Sequence, residues 1–346
     1  MNLSIFFALA AAALFGASTP LAKLLGATFS PVMLAGLLYL GSGIGLTLCR
    51  LIRDRQWRPS GLKASEWPWL IGAIVFGGIL GPVALMVGLT LTPASTASLM
   101  LNLEAVLTAL LAWLVFKENA DRRIVAGMLA IVAGGVVLAW PHDSTQALGW
   151  TGPLLVALAC ACWAIDNNLT RKVSASDALF IAGTKGWVSG AVNCSLAVFL
   201  GARLPDAATL GPALLLGFLG YGVSLVLFVL ALRGLGTART GAYFSTAPFL
   251  GAALSILLLG EPVSWTFWLA AVLMGAGVWI HLREHHAHEH QHDPLHHEHR
   301  HVHDEHHQHE HADEWDGTEP HSHPHQHAAL RHSHAHFPDI HHRHRH

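Results

Sequence analysis

The sequence predicts an all-α polytopic membrane protein of ten transmembrane helices, arranged as two inverted five-helix repeats and followed by a disordered, histidine-rich C-terminal tail. The 346 residues are 52% hydrophobic and only 12% charged, with a mean hydropathy of +0.43, which is too apolar for an ordinary soluble domain. Apolar runs of about 20 residues, the length that crosses a bilayer, recur as far as residue 281. From residue 281 onward the composition changes, because that part holds 26 of the 27 histidines.

Each membrane helix is predicted from an apolar run that a glycine, proline or charged stretch ends. The ten runs lie at residues 3–24, 31–51, 67–91, 94–116, 123–140, 149–170, 177–200, 209–232, 238–259 and 263–281. The basic segment RLIRDRQWRPSGLKASEW separates the second and third runs, and the other connections are short. The first run has no basic leader before it, so we interpret it as a helix and not as a cleaved signal peptide.

Positive charge predicts the orientation, because Lys and Arg near helix ends stay in the cytoplasm. With ten helices, both termini lie on one side of the membrane, which we call the N-terminal side, and most basic residues of the body fall in its loops. Lys23, Lys185 and Arg203 are the exceptions. Both termini are therefore expected to be cytoplasmic, in a multi-pass protein of the bacterial inner membrane.

Weak similarity between the two halves of the body predicts an internal repeat. A shift of 143 residues aligns VFKE at 115–118 with LLGE at 258–261, and a shift of 148 aligns ALFGASTPLAK at 13–23 with ACWAIDNNLTR at 161–171. Each half holds five helices, and this odd number inverts the second half relative to the first, as in many alternating-access transporters. The expected domains are residues 1–140, residues 149–281 and the tail, residues 282–346.

Three short motifs connect the body to a known family. The first helix carries FGASTPLAK, the fourth ends in an acid as LLAWLVFKE, and the fifth is the glycine-rich AGMLAIVAGGVVL. LSILLLGEP and LMGAGVWI repeat the last two features in the second half. This pattern resembles the drug/metabolite transporter superfamily with its paired EamA-type repeats. The resemblance implies a secondary transporter that exports small solutes, and it leaves the cargo open.

The tail is predicted to bind transition metals. Imidazole is a good ligand for Zn, Cu, Ni and Fe and competes poorly for Mg or Ca, and the H-x-H and HH spacings let a flexible chain gather several nitrogens around one ion. Low apolar content and scattered prolines predict disorder without metal. A tail of this kind on such a body resembles the membrane component of bacterial nickel and cobalt resistance systems. The candidate ligands are His285, His286, His288, His290, His292, His296, His297, His299, His301, His303, His306, His307, His309 and His311.

Two carboxylates inside predicted membrane helices are candidate pathway residues, because an ionisable side chain there costs roughly 3 kcal/mol and usually has a function. Glu104 lies near the middle of the fourth helix, with Asn102 two residues earlier. Asp166 lies in the sixth helix and is followed by Asn167. We expect Glu104 to be the proton-coupled carboxylate.

Asp166 has two interpretations. It shares a helix face with Cys162, four residues earlier, so the two side chains are a candidate partial ligand set for a soft or borderline cation. Alternatively, Asp166 neutralises a basic neighbour, Arg171 or Lys172. Both interpretations stay open at the level of the sequence.

Together these features predict an exporter of a divalent transition metal, nickel or cobalt first, driven by proton antiport. One alternative is a metabolite or drug exporter whose tail only buffers metal or senses pH, and another is a membrane-anchored metal store or sensor without transport. The chain shows no phosphate-binding or catalytic motif, so we do not expect an enzyme. No cofactor is expected beyond Ni, Co or Zn on the tail. The expected partners are the metal ion and the lipid bilayer, not nucleic acid, and a homodimer is compatible with the sequence.

Overall fold

A computed structural model describes residues 3–55, 60–116, 122–140, 149–173, 176–203, 205–282, 287–292, 295–301, 321–327 and 330–335. In the first half of the body the helices are α1 (Leu3–Leu25), α2 (Pro31–Asp54), α3 (Trp67–Ala73), α4 (Gly81–Leu91), α5 (Ala94–Met100), α6 (Asn102–Phe116) and α7 (Arg122–Ala139). A short 3-10 helix (Ala64–Glu66) precedes α3, and a π-helix (Ile74–Leu80), the first π segment, joins α3 to α4.

The second half of the body is also mainly helical in its described residues. Its helices are α8 (Thr151–Arg171), α9 (Ala178–Phe199), α10 (Ala207–Gly217), α11 (Ser224–Phe244), α12 (Ala247–Leu259) and α13 (Trp265–Leu282). A second π segment (Phe218–Val223) joins α10 to α11. It begins 144 residues after the first π segment, so the two occupy matching places in the two halves.

Several of these helices have the length and composition of membrane spans. Among the described residues, six are long and apolar enough to cross a bilayer: Leu3–Leu25, Pro31–Asp54, Ala64–Leu91, Ala94–Val115, Thr151–Thr170 and Ala207–Ala231. Three shorter apolar helices, Val125–Ala139, Ala247–Leu259 and Trp265–Ile280, accompany them. The predicted all-α polytopic class is confirmed.

One predicted helix boundary differs from the structure. The sequence prediction ends the eighth helix at residue 232 and begins the ninth at residue 238, which leaves RGLGT between the two apolar runs. The structure instead keeps a continuous helix from Ala207 to Phe244 and breaks it at Ser245 and Thr246, shortly before Pro248. Glycine inside a helix costs only about 1 kcal/mol relative to alanine, whereas proline removes a hydrogen bond and disfavours helix before it.

Helices from the two halves interleave, so neither half stands alone. α2 packs along α9 and α10, and α1 packs along α11 and α12. The α2–α9 crossing is close enough to require glycine, because a Cβ atom on Gly186 would clash with the backbone of Gly43. This packing fixes α9 against the centre of the body.

The tail contains two short ribbons that the prediction of a disordered tail did not include. Strand β1 (Ala287–His292) pairs antiparallel with β4 (Leu330–Ala335), and β2 (Leu295–His301) pairs antiparallel with β3 (His321–His327). The H-x-H spacing has a period of two residues, which is the period of a strand. The register places His opposite His, as in His290 with His332.

An ionic cluster joins the ends of α2 and α9 on the N-terminal side. Asp177 caps the start of α9 by accepting from the Leu179 amide. Its Oδ2 also lies 2.8 Å from Arg50 Nε and 2.8 Å from Arg53 Nη2. Burial raises the pKa of Asp177, but hydrogen bonds from Arg53 and Arg50 outweigh it, so its pKa lies below the usual value.

This cluster predicts a pH-dependent contribution to stability. Because the pKa of Asp177 is depressed in the folded state, its contribution is complete above the unfolded value of about 3.9 and is lost as pH falls through the folded value. Asp177→Asn keeps the helix cap but loses the charge, and we expect a loss of about 1–3 kcal/mol at neutral pH. Thermal unfolding in detergent at several pH values measures the difference in stability between this variant and wild type. We expect that difference to disappear in acid.

The matched control is Asp206→Asn. Asp206 also caps a helix, α10, but its hydrogen bonds are to Thr209 and not to an arginine. Asn caps about as well as Asp, so this variant should unfold close to wild type. An Asp177→Asn gap that stays constant with pH would contradict the ionic interpretation.

Candidate functional site

A polar cluster lies where α6 meets α8, inside the membrane body. Asn167 Nδ2 donates to Glu104 Oε1 over 2.9 Å and to Thr108 Oγ1 over 3.3 Å. Asn168 Nδ2 donates to the carbonyl oxygens of Thr108 and Ala164. The structure therefore brings together Glu104 and Asn167, which the sequence singled out separately. The Glu104 carboxylate thus accepts a hydrogen bond from a neutral amide.

A second cluster lies one residue away, around Asp166. Lys185 Nζ of α9 is 2.6 Å from both carboxylate oxygens, and Thr170 Oγ1 donates to Oδ1 over 2.8 Å. Asp166 is only 7% exposed. The ion pair described for Asp166 is with Lys185, a partner outside the two basic neighbours that the sequence analysis considered, and neutralisation by Arg171 or Lys172 stays a prediction. Because α9 is antiparallel to α8, residues distant in sequence meet at the same depth.

The first π segment packs against both α8 and α9. A π turn leaves carbonyl oxygens without their usual helical donors, and such turns are frequent at functional sites. Gly77 O accepts from Tyr39 Oη over 2.6 Å and from Trp163 Nε1 over 3.0 Å, while Gly78 O accepts from Asn193 Nδ2 over 3.2 Å. Three side chains from three helices thus hold this segment in place.

Tyr39 also connects the two π segments. Its ring centroid lies 5.7 Å from that of Tyr221, which belongs to the second π segment. The two irregular helices therefore meet through a tilted aromatic pair near the centre of the body. Sequence reasoning missed this arrangement, and the only signal was the repeated glycine in FGG and FLGYG.

Glycine is required where the first π segment faces Asp166 of α8 and Ser189 of α9. A Cβ atom on Gly77 would clash with the Asp166 carboxylate, and one on Gly78 would clash with Ser189 Oγ. Neither neighbour is the free end of a long side chain, because Asp166 is held by Lys185 and Thr170. The segment can approach α8 and α9 this closely only if these two positions carry no side chain.

We therefore expect Gly77→Ala to displace Asp166 and to destabilise the protein. Overpacking of a well-packed interior costs about 1–3 kcal/mol, and the unfolding temperature in detergent should fall accordingly. Gly211→Ala in α10 is the matched control, since a Cβ atom there meets nothing within 4 Å and alanine favours the helix. Equal unfolding temperatures for the two variants would contradict the close approach.

α9 presents a polar stripe to this region. Lys185, Ser189 and Asn193 are spaced by four residues, so they share one helix face. Ser189 and Asn193 are both 0% exposed. Ser189 Oγ and Asn193 Oδ1 have no hydrogen-bond partner among the described residues. Buried acceptors without a partner are uncommon in folded proteins and call for an explanation.

The other candidate pathway residues lie away from this region or contact it only by packing. Asn102 Nδ2 donates to the Leu99 carbonyl over 2.8 Å, at the break between α5 and α6, so it supports the helix end. Cys162 is 5% exposed and packs beside Gly81. Within the described ranges, no group of three or more His, Cys, Asp or Glu side chains is arranged to hold a metal ion. The ligand set of Cys162 with Asp166 stays a prediction.

On the opposite side of the membrane, two charged side chains hold the connection between α4 and α5. Glu261 accepts from the amides of Ala94 and Ser95 over 2.7 and 2.8 Å. Lys23 Nζ donates to the carbonyls of Leu89 and Thr92. A cavity of about 290 Å³ opens beside Lys23 and is lined by Ala22 among others.

The structure describes only some of the candidate tail histidines. His285, His286, His303, His306, His307, His309 and His311 lie outside the described residues. His288, His290 and His292 belong to β1, and His296, His297, His299 and His301 belong to β2. Their role as metal ligands stays a prediction.

The body is similar to transporters in sequence and to a solved structure in fold. The model of the EamA-like transporter family matches residues 2–140 and 150–283. An uncharacterized transporter of Methanothermobacter thermautotrophicus is 28% identical over 281 residues, which is 77% of this chain and 82% of that protein. A probable amino-acid metabolite efflux pump of Salmonella typhimurium is 28% identical over 208 residues, 55% of this chain and 68% of that protein. One crystal structure superimposes with a TM-score of 0.59 and 19% identity, covering 80% of this chain and 94% of the other.

Proposed function

The chain belongs to the EamA-like transporter family, and from that premise we propose that it exports a positively charged solute, with a divalent transition metal, nickel or cobalt, as the first candidate. The observation that supports a positively charged cargo is the environment of Glu104. Its carboxylate lies in a membrane helix, and its described hydrogen bond comes from an amide. A membrane carboxylate whose described hydrogen-bond donor is a neutral amide is suited to take up a cation or a proton in turn.

Proton antiport is the proposed energy source. Glu104 would bind a proton when the site faces the more acidic side and release it when a cargo cation arrives from the cytoplasm. Asn167 would orient the carboxylate in both states, since its side-chain amide can donate to the ionised form and accept from the protonated one, and Thr108 Oγ1 would help to hold that amide in place by accepting from its Nδ2. The cargo would therefore travel past α6 and α8.

The proposal that the cargo is a metal rests on the tail. Fourteen candidate histidines between His285 and His311 provide many weak and interchangeable imidazole sites, which favours capture and release over storage. Tethering such sites at the cytoplasmic mouth would raise the local ion concentration without adding contacts in the pathway. The tail would thus act as a collector.

A second candidate is an organic solute that carries an ammonium group. Lys185 already occupies the Asp166 carboxylate, and the described residues hold no three-ligand metal group. A compact ammonium needs fewer ligands than a metal ion and fits a site that mixes carboxylates, amides and hydroxyls. The amino-acid metabolite pump among the relatives gives this candidate its test compounds.

The deciding experiment is efflux of nickel, with cobalt and zinc in parallel, from loaded cells that express the full chain or a version ending at Leu282. We expect the full chain to export nickel and the shortened version to export it about 3- to 10-fold more slowly at low internal nickel, because the effective concentration is lost. The two rates should converge at high nickel. Binding by the tail without flux from either version would favour a metal store, and flux of amino acids without nickel would favour the second candidate.

A further inference from the structure

The position of Lys185 on Asp166 is that of a bound cation. Its Nζ atom lies 2.6 Å from each of the two carboxylate oxygens, so the ammonium sits between them. The two side chains are only 13% and 10% exposed. A cargo cation approaching Asp166 would have to occupy the same place, and the two cations cannot share it.

α9 offers the ammonium a second place. Ser189 lies one helical turn beyond Lys185 and Asn193 one turn further, and their acceptor atoms Ser189 Oγ and Asn193 Oδ1 are buried and have no partner among the described residues. Lysine is a flexible four-carbon stem with three rotatable donors. By rotating its side chain along the stripe, Lys185 can leave Asp166 and donate to Ser189 Oγ, whereas Asn193 lies two turns, about 12 Å, along the helix and is beyond the reach of the lysine stem.

We propose that Lys185 is a resident cation, which occupies Asp166 when the site holds no cargo and moves to Ser189 when a positively charged cargo binds. The inference rests on the proposed function for the charge of the cargo. It makes Lys185 a specificity-determining residue, because only a cation can displace it. It also keeps Asp166 neutralised while the empty carrier changes orientation, since an uncompensated charge inside the membrane is costly.

The first test needs no cargo. The four native cysteines are replaced, and Ala22→Cys is introduced into the cavity beside Lys23, where residue 22 is 1% exposed. A membrane-impermeant maleimide then labels the full chain in sealed vesicles from the side opposite the termini. Labelling reports how often the empty carrier opens to that side.

Lys185→Gln should slow this labelling by about tenfold or more. Without Lys185, Asp166 carries an unpaired negative charge, and the carrier can open to the opposite side only by moving that charge out of the water on the N-terminal side, which is costly. The double variant Asp166→Asn with Lys185→Gln has neither charge and should label at the parent rate. Lys63→Gln, which removes an exposed loop lysine, is the matched control. Equal labelling of Lys185→Gln and the parent would overturn the proposal. If Lys185→Gln fails to fold, slow labelling of the double variant would overturn it.

The second test uses radioactive nickel as the probe. In reconstituted vesicles, Lys185→Gln should lose about tenfold in net nickel efflux while keeping exchange of internal for external nickel, because exchange never requires the empty carrier to return. A parallel loss of both fluxes would overturn the proposal. If the wild-type protein moves no nickel, the proposed cargo fails, and the labelling experiment still decides the role of Lys185.

Discussion

Glu104→Gln is expected to abolish net cation efflux while leaving the protein folded and inserted in the membrane. Glutamine keeps the size of the side chain and can still accept from Asn167, whose Nδ2 lies 2.9 Å from the native carboxylate. It cannot ionise, so it can neither attract a cation nor carry a proton. Transport should therefore fall to the level of vesicles without the protein.

Efflux of nickel along an imposed proton gradient measures the effect, and surface labelling and elution in detergent check insertion and folding. Glu66→Gln is the control, because it removes a half-buried carboxylate of the 3-10 helix before α3, away from α6 and α8. A separate arm replaces Asn167 by alanine, which removes the donor but keeps Glu104. We expect partial loss there, and normal efflux by Glu104→Gln would exclude Glu104 as the coupling residue.

Much of the body was predictable because a bilayer imposes simple lengths. Apolar runs fixed the membrane helices, and weak similarity at a shift of 143 residues anticipated two related halves. The matching π segments, which begin at Ile74 and Phe218, lie at nearly the same shift. The sequence prediction placed the break at Ser245 too early in the chain, because a stretch with glycine and arginine can continue a helix, whereas Pro248 disfavours helix before it.

The sequence identified the polar residues of the site but did not predict which of them contact each other. Glu104, Asp166 and Asn167 stand out as polar residues in apolar helices, which is a one-dimensional signal. The partnership of Asp166 with Lys185 depends on how α8 and α9 each pack against the first π segment, and no local pattern encodes it. The π turn at Gly77 likewise depends on donors from Tyr39 and Trp163, which come from other helices.

Asp166→Asn is expected to cause the largest loss of stability, because it leaves the Lys185 ammonium buried without its partner. Breaking a buried ion pair from one side costs about 3–5 kcal/mol, whereas removing both charges is often close to neutral. The double variant Asp166→Asn with Lys185→Gln should therefore unfold near the wild-type temperature, although Asp166→Asn alone unfolds well below it. Thermal unfolding of the purified full chain measures all three proteins.

The same set of variants separates the structural role of the pair from its role in transport. If the pair served stability alone, the double variant would regain both the unfolding temperature and the efflux of wild type. A cargo site predicts a different result, since the double variant has no carboxylate at position 166 to receive a cation. We expect it to regain stability without regaining efflux. Full recovery of efflux would show that Asp166 is not part of the cargo pathway. Glu104 would then be the one pathway carboxylate among the described membrane residues near α6 and α8.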